Sequence, residues 1–217
     1  MQHAHMQERL DGQYRKVALA LAAAVRDGRL RSVVFTGPTR RQGTTSTLLN
    51  VARHLKLSCS INPLVVELNR ARPALTKLLY LSEEKSVAAI AGGKSSMDCI
   101  QQAPNGLSVI PVGDFTSFGS RANIALTDAV ERIQKELRGV YPLMLWDAPP
   151  ILEQPDVLSL RAMLSNVVLI VESGRTSHEV LDRINDEITN AGMSLEGTVM
   201  VKQQRPIPGW IYRWLVR

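Results

Sequence analysis

The sequence predicts an α/β protein: a doubly wound, mostly parallel sheet flanked by helices on both faces. Two observations carry that prediction. Short β-branched apolar runs alternate with helical stretches of 10–15 residues, the pattern of parallel strands buried on both sides. The stretches with unusual chemistry, 37–45, 67–73 and 147–150, each follow one of those runs directly. Ligands in open parallel sheets sit at the carboxyl ends of the strands, so this coincidence marks a ligand site.

The elements follow in order. Residues 1–11 are polar and expected to be flexible, ahead of an α/β domain at 12–202 and a basic, aromatic tail at 203–217. "LDGQYRKVALALAAAVRDG" reads as a helix ending near Gly28. "SVVFT" (32–36) is a buried strand, followed by a polar loop and the helix "TSTLLNVARHLKL". "PLVVEL" (63–68) is a second strand, after which the chain turns at Pro73 into a short helix. Residues 82–105 read as small helices and loops, and "GLSVIPVG" (106–113) as a third strand. An amphipathic helix, "IALTDAVERIQKELRG", leads to a fourth strand in "YPLMLWDAPP", stopped by Pro149 and Pro150. A helix through 155–163, the strand "NVVLIVES" (166–173), a helix at 177–191 and the strand "EGTVMV" (196–201) complete the domain.

Bulk properties narrow the function classes. A length of 217 residues suits one domain with a substantial core. The formal charge of +6 admits an anionic partner without choosing among nucleotide, nucleic acid and acidic lipid. No basic-aromatic strip or known module supports nucleic acid, which is not expected as a partner. Cys59 and Cys99 lack metal-ligand spacing and are expected to be buried free thiols. No apolar run approaches the roughly 18 residues that would span a bilayer.

"TGPTRRQGTTSTLLNVARHL" (36–55) has the outline of a phosphate-binding loop. Such loops use glycines to curl the backbone and aim N–H groups at phosphate oxygens, helped by the positive end of the next helix. Gly37 and Gly43 can provide the curl, the N–H groups of Gly43, Thr44 and Thr45 can point into it, and Thr45 can serve magnesium. The lysine that normally reaches the outer phosphates is replaced by Thr44, and five residues rather than the usual four separate the glycines. Arg40 and Arg41 can present charge to an anion, though from a different direction.

Taken in order, these stretches resemble the bacterial tyrosine kinases of capsule and exopolysaccharide assembly. Those proteins are P-loop NTPase-like relatives of the deviant Walker ATPases that position division sites and plasmids. "TGPTRRQGTT" stands at that family's Walker A loop. "VVELNRARPALTKLLYL" stands at its second acidic motif, with Glu67 and Asn69 at the two aspartate positions and Arg72 and Pro73 in register. "YPLMLWDAPPILEQPDVL" parallels its Walker B strand, with Asp147 and the later Asp156. "APNGLSVIPVG", "NVVLIVESGRTS" and "EGTVMV" extend the agreement over about 12–202.

The resemblance implies ATP and magnesium as cofactors, with Glu67, Asn69 and Asp147 in catalytic positions and Thr45 with Asp147 on the metal. Asp147 has a second reading, as a strand-end carboxylate capping the Pro-Pro turn. The departures fall on the chemistry: Thr44 for lysine, Glu67 and Asn69 for two aspartates, and Val201 where an asparagine reads adenine. The family's ring-forming "E-x-x-R-x-x-R" is reduced to Arg15, and Tyr212 is the only tyrosine after position 141. A degenerate kinase acting as scaffold or regulator is therefore expected. An active autokinase using Arg40 or Arg41, and a positioning-type ATPase, are the alternatives.

The family also implies partners: the cytoplasmic segment of a membrane polysaccharide co-polymerase, and further copies of the chain. The expected location is cytoplasmic, peripheral at the inner face of the bacterial inner membrane. In the tail, Trp210 and Trp214 group apart from Arg213 and Arg217. Such a segment suits packing on its own domain, a groove of a partner protein, or an anionic membrane surface.

Overall fold

A computed structural model describes residues 2–154, 160–161 and 164–201, with side chains from Asp11 onward. Asp156, most of the helix expected at 155–163, and the tail residues Trp210, Arg213, Trp214 and Arg217 lie outside the described residues.

Seven strands form one sheet in the order β3-β4-β2-β5-β1-β6-β7. Their ranges are β1 Ser32–Thr36, β2 Leu64–Glu67, β3 Gln101–Gln102, β4 Ser108–Ile110, β5 Met144–Asp147, β6 Asn166–Glu172 and β7 Ser194–Val201. Every pairing is parallel except β3 with β4. Six α-helices are described: α1 Gln2–Arg26, α2 Thr44–Cys59, α3 Leu75–Leu79, α4 Val87–Ala91, α5 Ala122–Leu137 and α6 His178–Asn190. The doubly wound sheet read from the sequence is present.

Alternation along the strands sorts the core onto two faces. Val33, Phe35, Val65, Leu145 and Ile170 pack on one side with residues of α1, α2 and α3. Val34, Val66, Trp146, Leu169 and Val171 pack on the other with α4, α5 and α6. Helix α2 meets the sheet through Leu48, Val51, Ala52, Leu55 and Cys59, the three- and four-residue spacing of a single helical stripe. Cys59 and Cys99 are buried and free, as the sequence implied.

Two expectations are corrected. Helix α1 starts at Gln2, ahead of the helical stretch read from Leu10. Asp11 then lies within the helix, bonding Arg53 Nη2 at 2.6 Å and His54 Nε2 at 3.0 Å and tying α1 to α2. The second correction is β3, a two-residue antiparallel edge strand in a region read as helices and loops.

Candidate functional site

Parallel register sets the site. Strands β1, β5 and β2 lie side by side, and Phe35, Asp147 and Glu67 stand level across them. By alternation, Asp147 and Glu67 point to the face that carries α2 and α3. The loop 37–43 leaves β1 on this side and opens directly into α2.

The loop's shape comes from four residues. Gly43 has φ 84 and Arg41 has φ 64, two left-handed turns that bring the chain into the helix. Gly43 is suited to that conformation and Arg41 is not, so the loop stores strain at Arg41. Gly37 serves differently: a Cβ there would meet the Gln42 side chain and the Ile170 carbonyl at 3.1 Å. Gln42 is buried and spans the loop, donating to Thr39 Oγ1 at 3.1 Å and accepting the Glu172 N–H at 2.6 Å.

Above the strand ends lies a cleft of about 280 Å³. Arg40, Arg41, Gly43, Thr44, Thr45, Asn69 and Asp147 line it. Gly37 and Glu67 do not, so the structure gathers seven of the nine described candidate residues around one opening.

Thr45 and Asp147 meet. The threonine hydroxyl donates to Asp147 Oδ2 at 2.7 Å. The Pro-Pro turn has its own anchor, the Thr36 hydroxyl, which donates to the Pro149 carbonyl at 2.7 Å. Asp147 thus engages the start of α2. Its side chain is 2 % exposed. Burial drives its pKa up to about 7, the Thr45 bond opposes the rise, and the neighbouring Glu67 charge adds to it. A hydroxyl and a carboxylate side by side form a hard-oxygen pair that suits magnesium, which takes one or two carboxylates plus phosphate oxygens.

Glu67 is turned to other work. One carboxylate oxygen accepts the N–H groups of Ala74 at 2.5 Å and Leu75 at 3.1 Å, and the other accepts the Val112 N–H at 3.2 Å. These bonds stitch the start of α3 and the chain after β4 to the end of β2. Burial raises the Glu67 pKa against the pull of those three donors. Asn69 accepts the Arg72 N–H at 3.1 Å, closing a turn within the same segment.

Arg40 is engaged by a residue that the sequence reading did not single out. Its backbone N–H donates to Glu153 Oε1 at 2.8 Å, and its Nε pairs with Glu153 Oε2. Glu153 lies 113 positions away, so no local pattern marks the pair. Gln42 stands next to Gly43 within the loop the sequence singled out, but its partners Thr39 and Glu172 are seen only in the fold.

No family model matches the chain. Among curated proteins it is 23% identical over 190 residues to the tyrosine-protein kinase YwqD of Bacillus subtilis, covering 87% of this chain and 79% of that protein. It is 22% identical over 189 residues to EpsB of Ralstonia solanacearum, to which a tyrosine-protein kinase activity is ascribed. Both of these curated matches are to bacterial tyrosine-protein kinases. The EpsB match covers 85% of this chain but only 24% of EpsB, so the chain spans about a quarter of that relative's length. Among solved structures, the VpsO kinase domain superposes with a TM-score of 0.75 at 20% identity, over 92% of this chain and 99% of that one. Cobyrinic acid a,c-diamide synthase from Mycobacterium smegmatis, solved with an ATP analogue and magnesium, matches with a TM-score of 0.60 at 16% identity, over 79% of this chain and 74% of that one. Both share the fold of this chain, a mostly parallel sheet flanked by helices.

Proposed function

We propose that this chain is a kinase-like scaffold or regulator of an exopolysaccharide assembly and export system, with a nucleotide site too poor in positive charge for efficient phosphoryl transfer. The observation that carries the reading is the loop itself. Thr44 stands at the lysine position, and Arg40, one of two cations inside the loop, is already neutralised by Glu153. Phosphoryl transfer is almost entirely positioning and charge compensation, so these two features act on the same step.

Two further features support the reading. Glu67 spends its carboxylate on three backbone N–H groups, and Asn69 carries no basic oxygen. Neither is well placed to take a proton from an acceptor hydroxyl. ATP and magnesium are proposed as weak ligands rather than as working cofactors. Thr45 and Asp147 would hold the metal, and the start of α2 would meet the phosphates. Bound magnesium would neutralise phosphate charge.

For partners we propose the cytoplasmic segment of a membrane polysaccharide co-polymerase, together with self-association. Among the described residues, no helix is long and apolar enough to cross a membrane. A peripheral position at the inner face of the inner membrane fits this reading, with Trp210, Arg213, Trp214 and Arg217 meeting partner or lipid. An active autokinase is the second reading, favoured by the intact Thr45–Asp147 pair.

The deciding experiment incubates the purified chain with magnesium and ATP and counts phosphotyrosine by mass spectrometry. The proposal expects no signal above the Asp147→Asn variant. Robust labelling of the parent, lost in that variant, would establish the autokinase instead.

A further inference from the structure

The phosphate loop is zipped along its length to the chain that follows the Pro-Pro turn. Thr36 Oγ1 donates to the Pro149 carbonyl at 2.7 Å. The Ile151 N–H donates to the Gly37 carbonyl at 3.0 Å, and the Leu152 N–H to the Pro38 carbonyl at 3.3 Å. The next contact is Glu153 on Arg40, made to the backbone N–H and to the guanidinium by the two oxygens of one carboxylate. Residues 149–153 therefore form a strap running beside residues 36–40.

We propose that Glu153 is an internal anion that competes with phosphate for the loop, so that the strap sets how strongly the cleft takes a phosphate ligand. This rests on the reading of the cleft as a phosphate site. A carboxylate accepting both a main-chain N–H and a guanidinium N–H does what a phosphate oxygen does in such loops. Arg40 lines the cleft, yet its charge is compensated before any ligand arrives. An entering phosphate must share Arg40 with Glu153, through guanidinium N–H groups other than Nε, or displace the Glu153 contact. With Thr44 at the lysine position, Arg40 and Arg41 are the cations within the loop, and Glu153 holds the first of them.

The side chains of Arg40 and Glu153 are 47% and 28% exposed, which limits the size of the effect. A pair of this exposure changes affinity by about five-fold when one partner is released, and more at low salt.

The test titrates inorganic pyrophosphate, and separately magnesium–ATP, into the full chain by calorimetry at low ionic strength. Four proteins are compared: the parent, Glu153→Gln, Glu153→Ala, and Glu153→Gln combined with Arg40→Ala. Glu153→Gln preserves size and an acceptor for the Arg40 N–H, and circular dichroism melts verify folding of each variant. Both single variants are expected to bind pyrophosphate about five-fold tighter than the parent, and the double variant to lose that gain. Unchanged or weaker affinity in the single variants overturns the proposal, as does a gain that survives removal of Arg40. Absence of binding in all four also overturns it, while leaving the scaffold reading intact. Phosphotyrosine formation by the parent overturns the scaffold reading alone, and the role of Glu153 is still judged by this titration.

Discussion

Replacing Asp147 with asparagine should flatten the pH dependence of stability in the metal-free protein. Asp147 titrates near 7 in the fold against an ordinary value of 3.8, a gap of about three pH units. At about 1.4 kcal/mol per unit, this amounts to about 4 kcal/mol. The sign follows from which state holds the proton. Below pH 4 both states are protonated at this group, and the native chain keeps its full stability. Between about pH 4 and 7 the unfolded chain has released the proton and the native chain has not, so stability falls as pH rises. Above 7 the loss is complete. Glu67, also raised by burial, adds a slope of the same sign to both proteins. The introduced amide keeps an oxygen for the Thr45 hydroxyl and has nothing to titrate. Urea denaturation in chelator at pH 4.5 to 8 measures the effect. The variant should gain on the parent by about 3 kcal/mol across that range, since part of the loss already lies below pH 4.5. Parallel curves for the two proteins would refute the assignment of a buried, proton-holding Asp147.

Three further outcomes follow from the same geometry. Added magnesium should stabilise the parent more at pH 8 than at pH 6, because metal and proton compete for Asp147; an equal effect at both pH values in melting experiments would contradict the Thr45–Asp147 metal pair. Glu67→Gln places an amide donor among three backbone donors and should cost about 2 kcal/mol in urea unfolding. An unperturbed midpoint would show that those bonds contribute little. Gly113→Ala would put a Cβ 2.2 Å from Ser86 Oγ, at a φ of +73, and Ser86 caps α4 through the Ala89 N–H. Loss of about 3 kcal/mol is expected by chemical denaturation, and a silent substitution would mean that the Ser86 cap is dispensable.

What could be read from the chain alone follows the range of the forces involved. Strand β1 coincides with the run "SVVFT", and β5 and β6 fall within the predicted runs, because burial on both faces writes itself as consecutive apolar residues. The clustering of Arg40, Arg41, Gly43, Thr44, Thr45, Asn69 and Asp147 was also legible, since parallel strands must end on one side of the sheet. Strand β3 was not, as two glutamines pairing at an edge carry no periodic signal. Helix α1 extends into residues whose polar composition gave no apolar stripe to follow. The roles of Glu67 and Glu153 depend on backbone groups 7 to 113 positions away and emerge only when the sheet brings the loops together. Position alone marked Glu67 as acidic and buried at a strand end; it could not say which donors the longer side chain would find.

The most direct measurement of the charge deficit is a calorimetric titration of magnesium–ATP into the parent chain and its Thr44→Lys variant. Restoring an ammonium group at the mouth of α2 should tighten binding by about ten-fold or more, from a parent too weak to saturate at micromolar nucleotide. Micromolar affinity in the parent, unchanged by Thr44→Lys and abolished by replacing Arg40 and Arg41 with alanine, would show that the loop already compensates the triphosphate by another route.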